Sequence, residues 1–218
     1  MNLPTNILSG FVLLYNSLVL LYFFAINTGY MILLLLSALE LRYQIKRRPV
    51  EIDSDVNPDL IPKVAILIPA YNEKETIKSS LNSLQELGYP DLELIVVNDG
   101  STDETMKEIK EKFKLIPVAR QAKNAVECEE VKEVYKSVID ERILVLDKEN
   151  GGKADALNAG LNYSRSELSL AIDADSLVEK NSLQRLVEPY LTKETNVVGI
   201  GGIVRVANGC LIEGSDVK

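Results

Sequence analysis

Two carboxylates separated by one residue, Asp173 and Asp175, follow directly on the apolar run Leu168–Ile172. A hard divalent cation such as Mg²⁺ takes oxygen ligands and fills its remaining positions with water and substrate phosphate. An aspartate pair together with a diphosphate therefore makes a chemically sensible site. The plainer reading of an isolated Asp-x-Asp is a solvated turn that ends a strand. A second constellation, Asn150–Gly160 (NGGKADALNAG), sets Gly151 and Gly152 before Lys153 and a run of small residues. The glycines let a ligand approach the backbone, and the lysine supplies a mobile positive charge for phosphate oxygens. Here the plainer reading is a Gly-Gly turn in front of a well-packed helix. Neither G-x-x-x-x-G-K-[ST] nor a G-x-G-x-x-G after the first strand is present, which disfavours a P-loop and a dinucleotide-binding fold.

The elements that position these groups follow from hydrophobic period. Val64–Pro69, Leu92–Val97, Ile143–Asp147 and Leu168–Asp173 read as buried strands. Helices are expected over Glu75–Leu87, Thr102–Phe113, Lys153–Leu161 and Leu183–Tyr190, with Ser101 or Thr102 capping the second. A partial apolar stripe, Val126, Val131, Val134, Tyr135 and Val138, predicts a further helix over Lys123–Arg142, and Val197–Val206 reads as one or two strands. Strands alternating with helices imply an α/β domain with a mostly parallel sheet and helices on both faces. Ligands of such sheets bind outside the carboxyl ends of the strands. All four strand exits carry turn-forming polar residues: Pro69–Glu73, Asn98–Asp103, Asp147–Lys153 and Asp173–Asp175.

Composition narrows the chemistry. The 218 residues contain no histidine, so a histidine base, a Ser-His-Asp triad and a His-ligated zinc are excluded for this chain. A net charge of −8 argues against a nucleic-acid partner. Cys128 and Cys210 are expected to be free thiols.

No charged side chain occurs from Met1 to Leu39, and the apolar stretch Ile7–Leu39, about 33 residues, exceeds the ~20 needed to span a bilayer. A hairpin turning at Asn27–Gly29 would leave a second arm, Tyr30–Leu39, about half the required length, so one long tilted helix is expected. The basic cluster Arg42, Lys46, Arg47 and Arg48 predicts an N-terminus outside and a cytosolic domain at the cell membrane. The expected organisation is an anchor over 1–48, an acidic, proline-flanked linker over 49–61 and a domain over 62–218.

IPAYNE (68–73), VVNDGSTDET (96–105), NGGKADALNAG (150–160) and AIDADS (171–176) stand in the order and spacing of a family 2 glycosyltransferase with the GT-A fold. The chain resembles the processive membrane type, similar to poly-N-acetylglucosamine, hyaluronan and cellulose synthases, and GGIVRVANG (201–209) extends the likeness. The resemblance implies that Pro69, Ala70, Tyr71 and Glu73 lie against the base and ribose of a UDP-sugar donor and that Asp99 reads the uracil. It implies that Lys153, Asp155 and Asn158 line the diphosphate and donor-sugar region. Asp173 and Asp175 match the pair that holds Mg²⁺ or Mn²⁺. The acceptor implied is a polysaccharide or lipid.

Two departures stand out. Asn98 occupies the place of a first aspartate in the DDGS motif of many members. The aspartate base of the family and its QxxRW motif are expected beyond Lys218, so the sequence reads as lacking a C-terminal half or a partner subunit that supplies them. The competing expectations are a catalytically silent nucleotide-sugar-binding module and, third, a nucleotidyltransferase on a similar sheet, for which IPAYNE is the wrong loop.

Overall fold

The computed structural model describes residues 5–46, 61–191, 197–202, 212–213 and 216–217. The chain divides into two compact units, Met1–Pro49 and Val50–Lys218.

The first unit is a single helix, α1 (Thr5–Lys46), uninterrupted through Asn27–Gly29. Three of its polar side chains turn back on the helix. Ser17 Oγ donates to the Leu13 carbonyl at 2.8 Å, Asn27 Nδ2 to Phe23 at 2.7 Å and Thr28 Oγ1 to Phe24 at 2.8 Å. Such internal pairing is what a hydrocarbon environment demands, because no water there can satisfy a lone donor. The stretch Ser9–Arg42 is long and apolar enough to cross a membrane. At about 1.5 Å per residue the 42-residue helix is longer than the ~30 Å hydrocarbon layer. Of the basic cluster, Arg47 and Arg48 lie outside the described residues, as does the linker except Ile61.

The second unit is a six-stranded sheet with helices on both faces. Its strands are β1 (Val64–Ala70), β2 (Leu92–Asp99), β3 (Leu115–Pro117), β4 (Val131–Ser137), β5 (Ile143–Lys148) and β6 (Leu168–Ala171), in the order β3-β4-β5-β2-β1-β6. β6, β1, β2 and β5 run parallel, while β4 and β3 add antiparallel at one edge. A small antiparallel pair, β7 (Ile212–Glu213) with β8 (Asp216–Val217), lies apart from that sheet.

Side-chain alternation along the parallel strands divides the core. Ile66, Ile68, Leu94, Val96, Ile143 and Val145 face α2 (Ile77–Gln85), α3 (Thr105–Phe113) and α5 (Ser182–Leu191). Ala65, Leu67, Ile95, Val97, Leu144 and Leu146 face α4 (Lys153–Tyr163). A strand buried on both faces reads as a continuous apolar run, which is why β1, β2 and β5 are legible in sequence. Small residues let α4 sit close: Ala156 and Ala159 are fully buried, and a Cβ on Gly160 would come 3.1 Å from Leu67.

Four expectations need correction. Lys123–Arg142 is not a helix but an irregular segment followed by β4, because the open edge of β5 offers backbone hydrogen bonds that Val131, Val134 and Tyr135 are well suited to take as a strand. Val134 packs on one face of the sheet and Tyr135 on the other, and a bulge between Val131 and Glu133 absorbs the mismatch. α3 begins at Thr105, and Asp103, rather than Ser101 or Thr102, accepts from its first amide at 2.9 Å. β6 ends at Ala171, so Asp173 lies beyond it in a turn closed by the Ser176 amide on the Asp173 carbonyl. Residues 197–202 form no strand, and the rest of the expected strand, 203–206, falls outside the described residues.

Candidate donor-binding cleft

A cleft of about 550 Å³ opens at the carboxyl ends of β1, β2, β5 and β6, and all four exit loops contribute to its walls. Pro69, Ala70, Tyr71 and Glu73 come from β1 and its exit, and Asp99 from the end of β2. Asn150, Gly152 and Lys153 come from the loop after β5 and the start of α4. Asp173, Ala174 and Asp175 come from the turn after β6. Eight of the ten residues singled out from sequence therefore meet in one place. Asp155 and Asn158 do not line it.

The β1 and β2 exits are knitted together by local polar contacts. Asn72 adopts a left-handed backbone, φ 56°, which asparagine tolerates better than most residues. Its Oδ1 accepts from the Thr102 amide at 2.8 Å, and its own amide donates to Ser101 Oγ at 3.1 Å. Next along, the Glu73 amide donates to Thr105 Oγ1 at 2.9 Å. Tyr71 is thereby left half exposed beside the cleft.

Beneath the loops lies a buried charged cluster. Lys148, at the end of β5, has a side chain with no solvent exposure. Its Nζ donates to Asp99 Oδ1 at 2.8 Å and sits 2.5 Å from Asp155 Oδ2. Asp99 also accepts from the amides of Gly151 at 3.0 Å and Gly152 at 2.8 Å, and the Asn150 side chain donates to the Asp99 carbonyl at 2.7 Å. A carboxylate has about four acceptor positions, so three converging donors leave Asp99 room for one more. Burial alone would lower the Lys148 pKa, but its bonds to Asp155 and Asp99 outweigh burial and raise it. Burial likewise pushes Asp155 up, and the ammonium and the Glu129 amide together bring its pKa below the ordinary value. Asn98, buried beside this cluster, donates Nδ2 to Asp147 Oδ1 at 2.7 Å. An aspartate at 98 would set two carboxylates against each other there.

Asp155 and Asn158 face another way. Together with Asn162 they form a polar stripe at helical spacing on α4 that holds the irregular segment before β4. Asp155 accepts from the Glu129 amide, Asn158 donates to the Glu127 carbonyl, and Asn162 accepts from Ala125 and donates to Val126. Each contact satisfies a backbone group that has no sheet partner. Cys128, in that segment, is a free thiol.

Sequence reasoning overlooked Asn72, Lys148 and Asn150. Asn72 and Asn150 lay inside the IPAYNE and NGGKADALNAG segments without being assigned a role. The signal for Lys148 was a lysine ending an otherwise buried run, ILVLDK, where a charge survives only if it is paired.

Asp173 and Asp175 are both exposed, and Lys153 Nζ forms an ion pair with the Asp173 carboxylate. No group of three or more His, Cys, Asp or Glu suited to a metal occurs among the described residues. Two hard oxygen donors beside a lysine nonetheless fit an ion of the Mg²⁺ or Mn²⁺ kind, whose coordination is completed by phosphate and water. A second cavity, about 330 Å³, lies along β6 and α5 with a mainly apolar lining that includes Leu168, Leu183 and Val187.

The family model described as Glycosyl transferase family 2 matches residues 65–126 and 127–209. The poly-beta-1,6-N-acetyl-D-glucosamine synthase of Staphylococcus aureus (strain COL) is 27% identical over 176 residues, 80% of this chain and 35% of the relative. The synthase of that name from Staphylococcus epidermidis is 28% identical over 151 residues, 69% of this chain and 31% of the relative. The chain thus spans about a third of the length of these curated relatives. Among solved structures, a mannosyltransferase from Pyrobaculum calidifontis in complex with GDP-Man and Mn²⁺ is 26% identical, with a TM-score of 0.47, over 71% of this chain and 39% of that one.

Proposed function

This chain belongs to glycosyl transferase family 2, and from that premise we propose that it binds a UDP-sugar, N-acetylglucosamine being the sugar, for metal-dependent inverting transfer to a polysaccharide or lipid acceptor. The observation that carries the reading is the convergence of four strand exits on one cleft holding a lysine and three aspartates. The sugar assignment draws on the printed name of the staphylococcal relatives.

In this reading Tyr71 and the Pro69–Ala70 backbone flank the nucleoside, and Asp99 offers its remaining acceptor position to an N–H of the base. Lys153 takes the diphosphate oxygens as a mobile point charge. Asp173 and Asp175 would hold Mg²⁺ or Mn²⁺, which when bound neutralises charge on a departing diphosphate. An acceptor hydroxyl then attacks the anomeric carbon as that carbon's bond to the diphosphate breaks, and the hydroxyl proton passes to a general base, a role assigned to none of these cleft residues. The helix α1 anchors the chain in the cell membrane with its N-terminus outside and the domain in the cytosol, supported by its length and by the basic residues that end it.

Titration of the full chain in detergent with UDP-N-acetylglucosamine, with and without Mn²⁺, tests the reading. Binding should require the ion, and Asp175→Asn should remove both the requirement and most of the affinity while the circular dichroism spectrum stays unchanged. Binding indifferent to EDTA in the native chain would mean that the aspartates only form the turn after β6.

A further inference from the structure

We propose that Lys148, which no motif includes, is a positioning residue for the cleft: by clamping Asp99 and Asp155 it fixes the Asn150–Gly152 loop and so sets where Lys153 stands. The inference rests on the donor-binding reading above. Lys148 is enclosed by protein and never reaches the cleft, so any influence on a ligand must pass through what it holds. On one side it holds the Asp99 carboxylate, whose two oxygens in turn receive the Gly151 and Gly152 amides. On the other it holds Asp155, two residues after Lys153 in the first turn of α4.

Packing shows how little slack the assembly has. A Cβ on Gly151 would come 2.5 Å from the Asp155 carboxyl, and one on Gly100 would come 2.8 Å from the Asn150 amide nitrogen. The two exit loops and the α4 start therefore lie in contact around one ammonium. Its removal would leave two carboxylates facing each other in a poorly hydrated pocket, where like charges separate. The loop carrying Lys153 is what moves when they do.

The test uses the full chain in detergent and UDP with Mn²⁺ as the probe. Amide exchange of Gly151 and Gly152 should be slow in the native chain and fast in Lys148→Met, while the amides of β1 and β2 stay protected. UDP should bind Lys148→Met about tenfold more weakly. In a Lys153→Ala background the same change should cost no more than about threefold, because residues acting through one another are not additive. Losses that simply multiply would show that Lys148 is structural only, and overturn the proposal. If Lys148→Met does not fold, Asp155→Asn, which keeps an acceptor for the Glu129 amide, should bind UDP about threefold more weakly. Native affinity in that variant would likewise overturn the proposal. Failure of the native chain to bind UDP would sink the donor-binding reading and this inference with it. Native binding with an unaffected variant would sink the inference alone.

Discussion

Lys153, the first residue of α4, and Asp173, in the turn beyond β6, form an ion pair at the cleft, so the group proposed to take the diphosphate and one proposed to hold its metal ion are partners of each other. Both side chains are more than half exposed, and a pair so placed contributes little stability. It yields readily to stronger partners, a diphosphate for the lysine and a divalent cation for the carboxylate.

Freeing Asp173 should therefore change metal and nucleotide binding in opposite directions. In Lys153→Met, Mn²⁺ titrated without nucleotide and followed by its paramagnetic signal should bind up to about fivefold more tightly, a gain of the size expected for an exposed pair. UDP should bind more weakly in the same variant. A parallel loss of both would mean that the lysine does not compete for the aspartate.

The Asp99 carboxylate accepts from a buried ammonium and two glycine amides, so its removal is first a stability matter. Breaking a buried pair by deleting one partner costs about 3–5 kcal/mol. Asp155 still holds Lys148, so Asp99→Ala should lie near the lower end, read as a shift in the urea midpoint. A cost under about 1 kcal/mol would show the cluster to be hydrated.

Gly100 has φ +65° and faces the Asn150 backbone. Gly100→Ala adds a Cβ both to a left-handed backbone and to a closed contact, and should destabilise by about 2 kcal/mol or more. Gly152→Ala isolates the first effect, since φ is +88° there with nothing within 4 Å of the added atom. The difference between the two melting curves measures the contact.

Far from the cleft, Asp140 gives a pH signature. Its bond from Arg142 draws the pKa down; burial opposes this but is outweighed, with Gln85 adding a further bond, and the value falls to about 2. A carboxylate lowered in the folded state adds stability above its unfolded pKa, near 3.8, and loses it as pH falls toward 2. Asp140→Asn should thus be less stable than the native chain by about 2 kcal/mol at pH 7, at 1.36 kcal/mol per unit. The gap should close between pH 4 and 2. A constant gap would assign the loss to packing instead.

What the sequence alone determined is what local pattern can encode. The uncharged run to Leu39 makes one apolar helix whatever surrounds it. β1, β2 and β5 are apolar on both faces, so no register or partner is needed to recognise them. Pro69–Glu73, Asp99, Lys153 and the Asp173–Asp175 pair were legible because each follows such a run, and a parallel sheet delivers its carboxyl ends to one edge. Tertiary structure decided the rest. Val131, Val134, Tyr135 and Val138 satisfy a helix period, yet the vacant edge of β5 makes Val131–Ser137 a strand. Asp155 and Asn158 share a motif with Lys153, yet the helical turn aims them at the backbone of Glu127 and Glu129, outside the cleft. Lys148 has partners 49 residues before it and 7 after it in the numbering, Asp99 and Asp155, brought together only when β2, β5 and α4 assemble. Spacing along a chain carries the period of an element, but a buried charge is stable only in a constellation that non-local packing creates.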